Sequence, residues 1–211
     1  LKLKAMHKLL SLSLIFALIS CCPAADSSAD PLAQAKQLYY SGIAGHSADL
    51  TKSSELFDKA SQYSHDPTID AYRGSLLLIE AGETLAIWKK SDLSKRGLTL
   101  LDDSVTNNPN NLEIRFVRAA TTLHLPIFFR RHNQSCEDFR FIAPKAADAV
   151  AQHQLDPRLA AGALFLYAKN CATDKILPAQ DAMRQAVNVA PDSPAGQAAN
   201  TELAAHHPVA R

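Results

Sequence analysis

Beyond its first twenty residues this sequence has no apolar run long enough to cross a bilayer, no glycine-rich loop and no excess of either charge. The 22 basic residues are matched by 21 acidic ones, leaving a formal charge of +1 and no electrostatic basis for binding nucleic acid. The seven glycines in 211 residues are scattered, so none forms a loop that cradles phosphate. A Gly-x-Ser-x-Gly nucleophile elbow is also missing. Disorder throughout is excluded as well, since hydrophobic residues make up 47% and charged residues 20% of the chain, the balance of a globular protein. Beyond residue 30 no stretch reads as a strand of any length. There is a single tryptophan, and of four cysteines only Cys136 and Cys171 lie beyond the first 22 residues.

The most specific feature is the beginning. Lys2, Lys4 and Lys8 lead into a nearly unbroken apolar stretch at 9–19, which ends in small residues and cysteines. A positive region, a short apolar region and a small-residue exit describe a secretory signal, and the apolar stretch is too short for an ordinary spanning helix. Met6 is an alternative start. Removing Lys2, Lys4 and Lys8 leaves 19 basic residues against 21 acidic, a net charge of −2. The exit, Leu18-Ile19-Ser20-Cys21, resembles the lipobox of bacterial lipoproteins, in which cleavage before the cysteine frees it for diacylglyceryl attachment. The resemblance implies a lipid on Cys21, with durable anchoring because each buried methylene contributes about 0.8 kcal/mol. Residue 22 is Cys and not Asp, which by similarity to enterobacterial sorting implies the outer membrane, facing the periplasm. The alternative is a periplasmic or secreted protein cleaved after Ala24 or Ala25.

The expected organisation is a signal peptide at 1–20 ending at Cys21, a polar tether at 21–30 and an all-α domain at 31–211. Helical periodicity recurs along that domain and is interrupted at Pro67, Pro109, Pro157 and Pro191. A first helix carries Ala35, Leu38 and Tyr39 on one side. The stretch 51–63 places Leu56, Ala60 and Tyr63 on a common face, and 69–81 does the same for Ile69, Tyr72, Leu76 and Ile79. Leu93, Gly97, Leu101 and Val105 recur at intervals of four. Asn-Asn-Pro-Asn-Asn at 107–111 then marks a turn before Leu112, Phe116, Ala119, Ala120 and Leu123. A helix at 137–153 is expected to take Pro144 as its first residue, with 139–142 forming a separate turn. Helices at 158–168, 176–190 and 194–205 complete the chain.

This alternation of helix pairs and prolines resembles the tetratricopeptide repeat. Gly97, Leu101, Ser104 and Pro109 have the repeat's spacing of small, large, small and proline, and Ala179, Met183, Ala186 and Pro191 repeat it. The small residues let helices approach while the large one fills the gap, and each hairpin needs neighbours to bury its apolar face. The resemblance covers roughly residues 89–205 and implies antiparallel hairpins stacked as a short α-α superhelix. The positions before Pro67 and Pro157 do not fit it. Gly97-x3-Leu-Asp-x-Ser-Val-x3-Pro-Asn-Asn-Leu-Glu-Ile-Arg-Phe-Val-Arg, followed by Leu-Pro-Ile-Phe-Phe at 125–129, is also similar to an uncharacterised group of bacterial repeat proteins. That similarity implies no activity, only that Arg115 and Arg118 belong to a recurring feature.

Candidate sites follow from residue chemistry. Arg115 and Arg118, three apart on one helix face, suit a carboxylate or phosphate on a partner, or structural ion pairs with Asp102, Asp103 or Glu113. Glu137 and Asp138 are expected to complement a helix dipole. The segment 125–129 is the most hydrophobic of the domain, and Arg130 and Arg131 follow it directly. Phe128 and Phe129 are expected to fold back onto the core; the alternative is an exposed apolar patch with a basic rim, suited to a protein or lipid headgroup. His132 and Cys136 lack a second pair to complete a tetrahedral metal set, and no cofactor is expected. Cys136 and Cys171 are expected to form a disulfide, because an exported protein meets an oxidising compartment; the alternatives are two buried, unpaired thiols, or a bond made by Cys22 instead. An antiparallel hairpin turning near Asp156-Pro157 brings both cysteines to one open end. The leading functional expectation is a non-enzymatic envelope scaffold that binds another protein or a peptide. The alternatives are a small-ligand module near Phe128, Arg115 and Arg118, and an envelope hydrolase.

Overall fold

The computed structural model describes residues 30–206; the signal stretch and Cys21 lie outside them. Ten α-helices follow in order: α1 (Pro31–Ile43), α2 (Ala48–Ala60), α3 (Pro67–Glu83), α4 (Ile87–Asn107), α5 (Leu112–Thr122), α6 (His132–Ile142), α7 (Ala146–Ala151), α8 (Pro157–Asn170), α9 (Ala179–Val189) and α10 (Pro194–His206). Two short 3-10 turns, Ile127–Phe129 and Ala143–Lys145, join α5 to α6 and α6 to α7. Among the described residues the β-type pairing is a single bridge between Thr173 and Leu177. None of the described helices is long and apolar enough to cross a membrane.

The prolines act chiefly as helix starters. Asp30-Pro31, Asp66-Pro67 and Asp156-Pro157 are three copies of one device, opening α1, α3 and α8. In each, proline occupies the first turn and the aspartate accepts a hydrogen bond from the backbone N–H two residues on, at Leu32, Thr68 and Arg158. Proline's missing N–H is unneeded there and its fixed φ suits the helix, while each capping carboxylate contributes about 1 kcal/mol.

Neighbouring helices pack as successive pairs, α1 with α2, α3 with α4, α8 with α9 and α9 with α10. Helices α3 and α4 approach closely along their length. A Cβ built on Gly74 would lie 2.8 Å from the carbonyl oxygen of Gly97, and one on Gly97 would lie 2.7 Å from that of Gly74. The two backbones touch because neither residue has a side chain. The repeat-like positions Gly97, Leu101 and Ser104 are buried, as are Met183 and Ala186, so the fold is all-α with stacked, repeat-like helix pairs.

Two apolar cores meet at α5. Its Ile114 and Val117 join a core of Tyr39, Phe57, Ile69, Tyr72, Leu76 and Leu101 from α1–α4. Its Phe116, Ala119 and the following Leu123 join a second core of Phe139, Ile142, Leu164, Tyr167, Met183 and many alanines from α6–α10.

Three boundaries differ from the sequence expectation. Helix α2 runs from Ala48 and buries Ser53 and Phe57, leaving Tyr63 exposed beyond its end. Residues 139–142 are the last turn of a full helix α6, and Pro144 sits inside the 3-10 turn that follows. Helix α9 begins at Ala179, because the chain before it is held by Tyr167, whose hydroxyl donates to the Leu177 carbonyl at 2.9 Å.

Candidate functional site

The arginines singled out by the sequence are mostly occupied. Asp138 is fully buried and accepts from Arg115 Nη1, from Arg118 Nε at 2.8 Å and from Arg118 Nη2 at 2.9 Å. Arg118 also reaches Asp102 at 3.3 Å, and Arg131 donates to the same carboxylate at 2.7 Å. Gln134 closes the set, accepting from Arg131 at 2.8 Å and donating to Asp102 at 3.0 Å. Arg115 Nε donates to the Pro109 carbonyl at 2.6 Å, and its guanidinium stacks over Phe141, 4.1 Å from the ring centre. Asp102 on α4, the arginines of α5 and Asp138 on α6 thus form one polar seam where the two cores meet. Asp138 lies in the second turn of α6 and neutralises arginines in place of complementing a helix dipole.

A second chain of polar groups crosses the α1–α3–α5 core. Tyr39 OH, Ser75 Oγ and Thr121 Oγ1 are linked at 2.7 Å each. Tyr40 OH meets Tyr72 OH at 2.6 Å, and Tyr72 donates to Glu113 at 2.8 Å, which also pairs with Lys36 at 2.8 Å. Burial pushes the Tyr72 hydroxyl far above its ordinary range, reinforced by Tyr40 and Glu113, and burial raises Tyr39 and Tyr40 as well. All three stay protonated and act as donors. Every buried side-chain nitrogen or oxygen among the described residues has a hydrogen-bond partner, so neither network holds an unsatisfied group aimed at a ligand.

Cys136, on α6, and Cys171, at the C-terminal cap of α8, are joined by a disulfide with Cα atoms 5.2 Å apart. The α6–α7 segment and α8 run back along one another through the turn at 152–156, so both sulfurs fall at the open end of that hairpin. His132 Nε2 lies 3.7 Å from Cys136 Sγ. Among the described residues no group of three or more His, Cys, Asp or Glu side chains is placed to hold a metal ion.

The remaining sequence candidates lie elsewhere. Ile127 is 93% and Phe128 74% exposed, with Phe129 half-buried; the segment projects from the surface. The left-handed backbone of Arg130, φ 54°, reverses the chain there, turning Arg131 in toward Asp102 while Arg130 stays exposed. Three further apolar residues are exposed where α3 gives way to α4: Leu85 of the connection at 98%, and Ile87 and Trp88, which open α4, at 80% each. Ile87 and Phe128 take part in an apolar groove of about 660 Å³, floored by Leu78, Ala81 and Gly82 of α3 and Leu98 of α4, with Lys90 and Lys95 on one wall and Phe128 and Phe129 on the other. Arg115 and Arg118, by contrast, face Asp138, and Phe128 lies beyond the opposite end of α5, so the structure does not gather these candidates into one site. The groove's α4 wall was missed at the sequence level, though Ile87, Ser91, Ser94 and Leu98 carry the helical spacing that marks a second face.

The class defined by this architecture is an all-α protein of stacked helix pairs with one apolar end left open. No family model matches the chain, and neither the curated proteins nor the solved structures provide a match.

Proposed function

We propose that the protein is a non-enzymatic lipoprotein of a bacterial cell envelope whose tetratricopeptide-like helix stack docks another envelope protein or peptide. Acylated Cys21 holds it to the outer membrane on the periplasmic side, and residues 22–30 are the tether. The observation that carries the docking role is an apolar groove with exposed Ile87 and Phe128 in its lining, and with Leu85, Trp88 and Ile127 exposed in the same two stretches of chain. A soluble face rarely leaves such an apolar cluster unpartnered. The Cys136–Cys171 disulfide supports an oxidising compartment. The groove's charged groups stand on one wall and do not converge, which argues against the small-ligand alternative.

The test is a photo-crosslinking amino acid placed at Phe128 in the native, full-length protein in cells, with Tyr63 as an exposed control on α2's trailing end. The expected result is covalent capture of one envelope protein from position 128 and none from position 63. Equal capture from both positions, or none from 128, overturns the docking role. Mass spectrometry of the mature N-terminus tests the anchor: a diacylglyceryl-modified Cys21 is expected, and an unmodified start at Ala25 or Asp26 refutes it.

A further inference from the structure

Helix α4 has 21 residues and its antiparallel neighbour α5 only 11, about 31 Å against 16 Å of axis. Helix α5 covers the C-terminal half of α4 and then stops. The chain crosses the remainder as the irregular segment 123–131, which stands off as the far wall of the groove. On α4 the positions Ile87, Lys90, Ser91, Ser94, Lys95 and Leu98 line the groove at helical intervals of three and four, while Leu93, Gly97 and Leu101 of the adjoining face pack inward. The uncovered length is that of a missing helix.

We infer, building on the docking role proposed above, that this groove is the seat for one amphipathic helix of a partner protein, about three turns long, with carboxylates beside its apolar stripe. The floor is suited to it. A Cβ added to Gly82 would meet no atom within 4 Å, and Ala81 is its neighbour, so a helix backbone can lie close to α3. The charge is suited too. Lys90 and Lys95 line the groove, no acidic residue does, and neither lysine has an ion-pair partner among the described residues, whereas their neighbours Lys89 and Arg96 pair with Glu80 and Asp92. A helix offering glutamates to Lys90 and Lys95 with leucines over Leu78, Ala81 and Gly82 is complementary in both respects. An anionic bilayer fits less well, because Glu80 and Glu83 are exposed at the same end of α3.

Trp88 is the only tryptophan of the chain and is exposed, next in sequence to the groove-lining Ile87, so its fluorescence is the readout for occupancy. The probes are three 14-residue peptides without tryptophan: a leucine stripe at helical spacing flanked by glutamates, the same stripe flanked by lysines, and a scrambled stripe with glutamates. With the native, full-length protein, saturable blue-shifted Trp88 emission is expected from the first peptide, at least about tenfold tighter than from the second and absent with the third. Gly82→Leu puts a side chain on the floor, its Cβ meeting no atom within 4 Å; a loss of affinity of about tenfold or more, at a melting temperature no lower than that of the parent, is expected. Lys90→Glu with Lys95→Glu reverses the preference between the first two peptides. Equal binding of all three peptides, or no binding of any, overturns the helix seat. So does a Trp88 shift on phosphatidylglycerol vesicles that ignores Gly82→Leu, or one that grows with protein concentration alone, which assigns the end to a bilayer or to a second copy. Photo-crosslinking from position 128 remains a separate readout: capture of a partner without peptide binding leaves the docking role standing and removes only the helix seat.

Discussion

The cores on the two sides of α5 are made of different material. The N-terminal one is built from large side chains, Tyr39, Phe57, Tyr72, Leu76 and Leu101, with hydroxyls linked across it; two of its helices meet at a pair of glycines. The C-terminal one is alanine-rich, with Ala143, Ala146, Ala160, Ala161, Ala163, Ala182 and Ala186 all inaccessible, and it carries the covalent link. Small side chains bring helices together but remove little apolar surface from water, about 25 cal/mol per Å² buried. The half whose core is rich in alanine is the one that is cross-linked. The open groove belongs to the other half, whose framework is held without a covalent tie.

Breaking the seam between the halves has the largest expected effect. Asp138→Leu leaves Arg115 and Arg118 without their shared carboxylate, at a cost of about 3–5 kcal/mol, read as a lower urea midpoint. Restoration by Asp138→Glu would be poor, since the site is closed. Replacing both Cys136 and Cys171 with alanine is expected to cost about 2–4 kcal/mol. Hydrogen exchange should show protection lost in α6–α9 and retained in α3 and α4; an equal loss in both halves contradicts their separate support. Next come matched insertions, Gly97→Leu in one half and Ala186→Leu in the other, each expected to destabilise by about 1–3 kcal/mol through overpacking. Gly97→Leu is the worse of the two, because its side chain meets the Gly74 backbone, which cannot turn aside. The smallest change has the opposite sign. Gly82→Ala adds a methyl group in open space within a helix and is expected to stabilise by up to about 1 kcal/mol, measured as a raised melting temperature.

Those contrasts were unequally visible in the sequence. The inward faces of α3, α4 and α5 were legible because Ile69, Tyr72 and Leu76, then Leu93, Gly97, Leu101 and Val105, repeat at helical spacing, and Asn-Asn-Pro marks the turn between α4 and α5. The start of α6 was hidden because His132, Asn133, Gln134 and Ser135 carry no apolar periodicity, and Pro144 imitates a helix start. Asp138 beside Glu137 looks like a helix-terminal pair; its role depends on arginines 20 and 23 residues away, a separation no local pattern reports. The exposure of Phe128 was likewise illegible, since apolar residues at a loop tip and in a folded-back loop have the same composition. What decided it was the length of α5, which ends before it can cover α4.

The repeated Asp-Pro openings of α1, α3 and α8 also mark chemically weak points. In dilute acid an aspartate carboxyl attacks its own peptide carbonyl, and proline's basic ring nitrogen makes it a good leaving group, so backbone scission in the denatured chain is concentrated at residues 30, 66 and 156. The cut at Asp156-Pro157 falls between Cys136 and Cys171. Fragments 67–156 and 157–211 should therefore migrate as one species on a non-reducing gel and separate only when reductant is added, so the device that starts α8 also makes the cross-link visible.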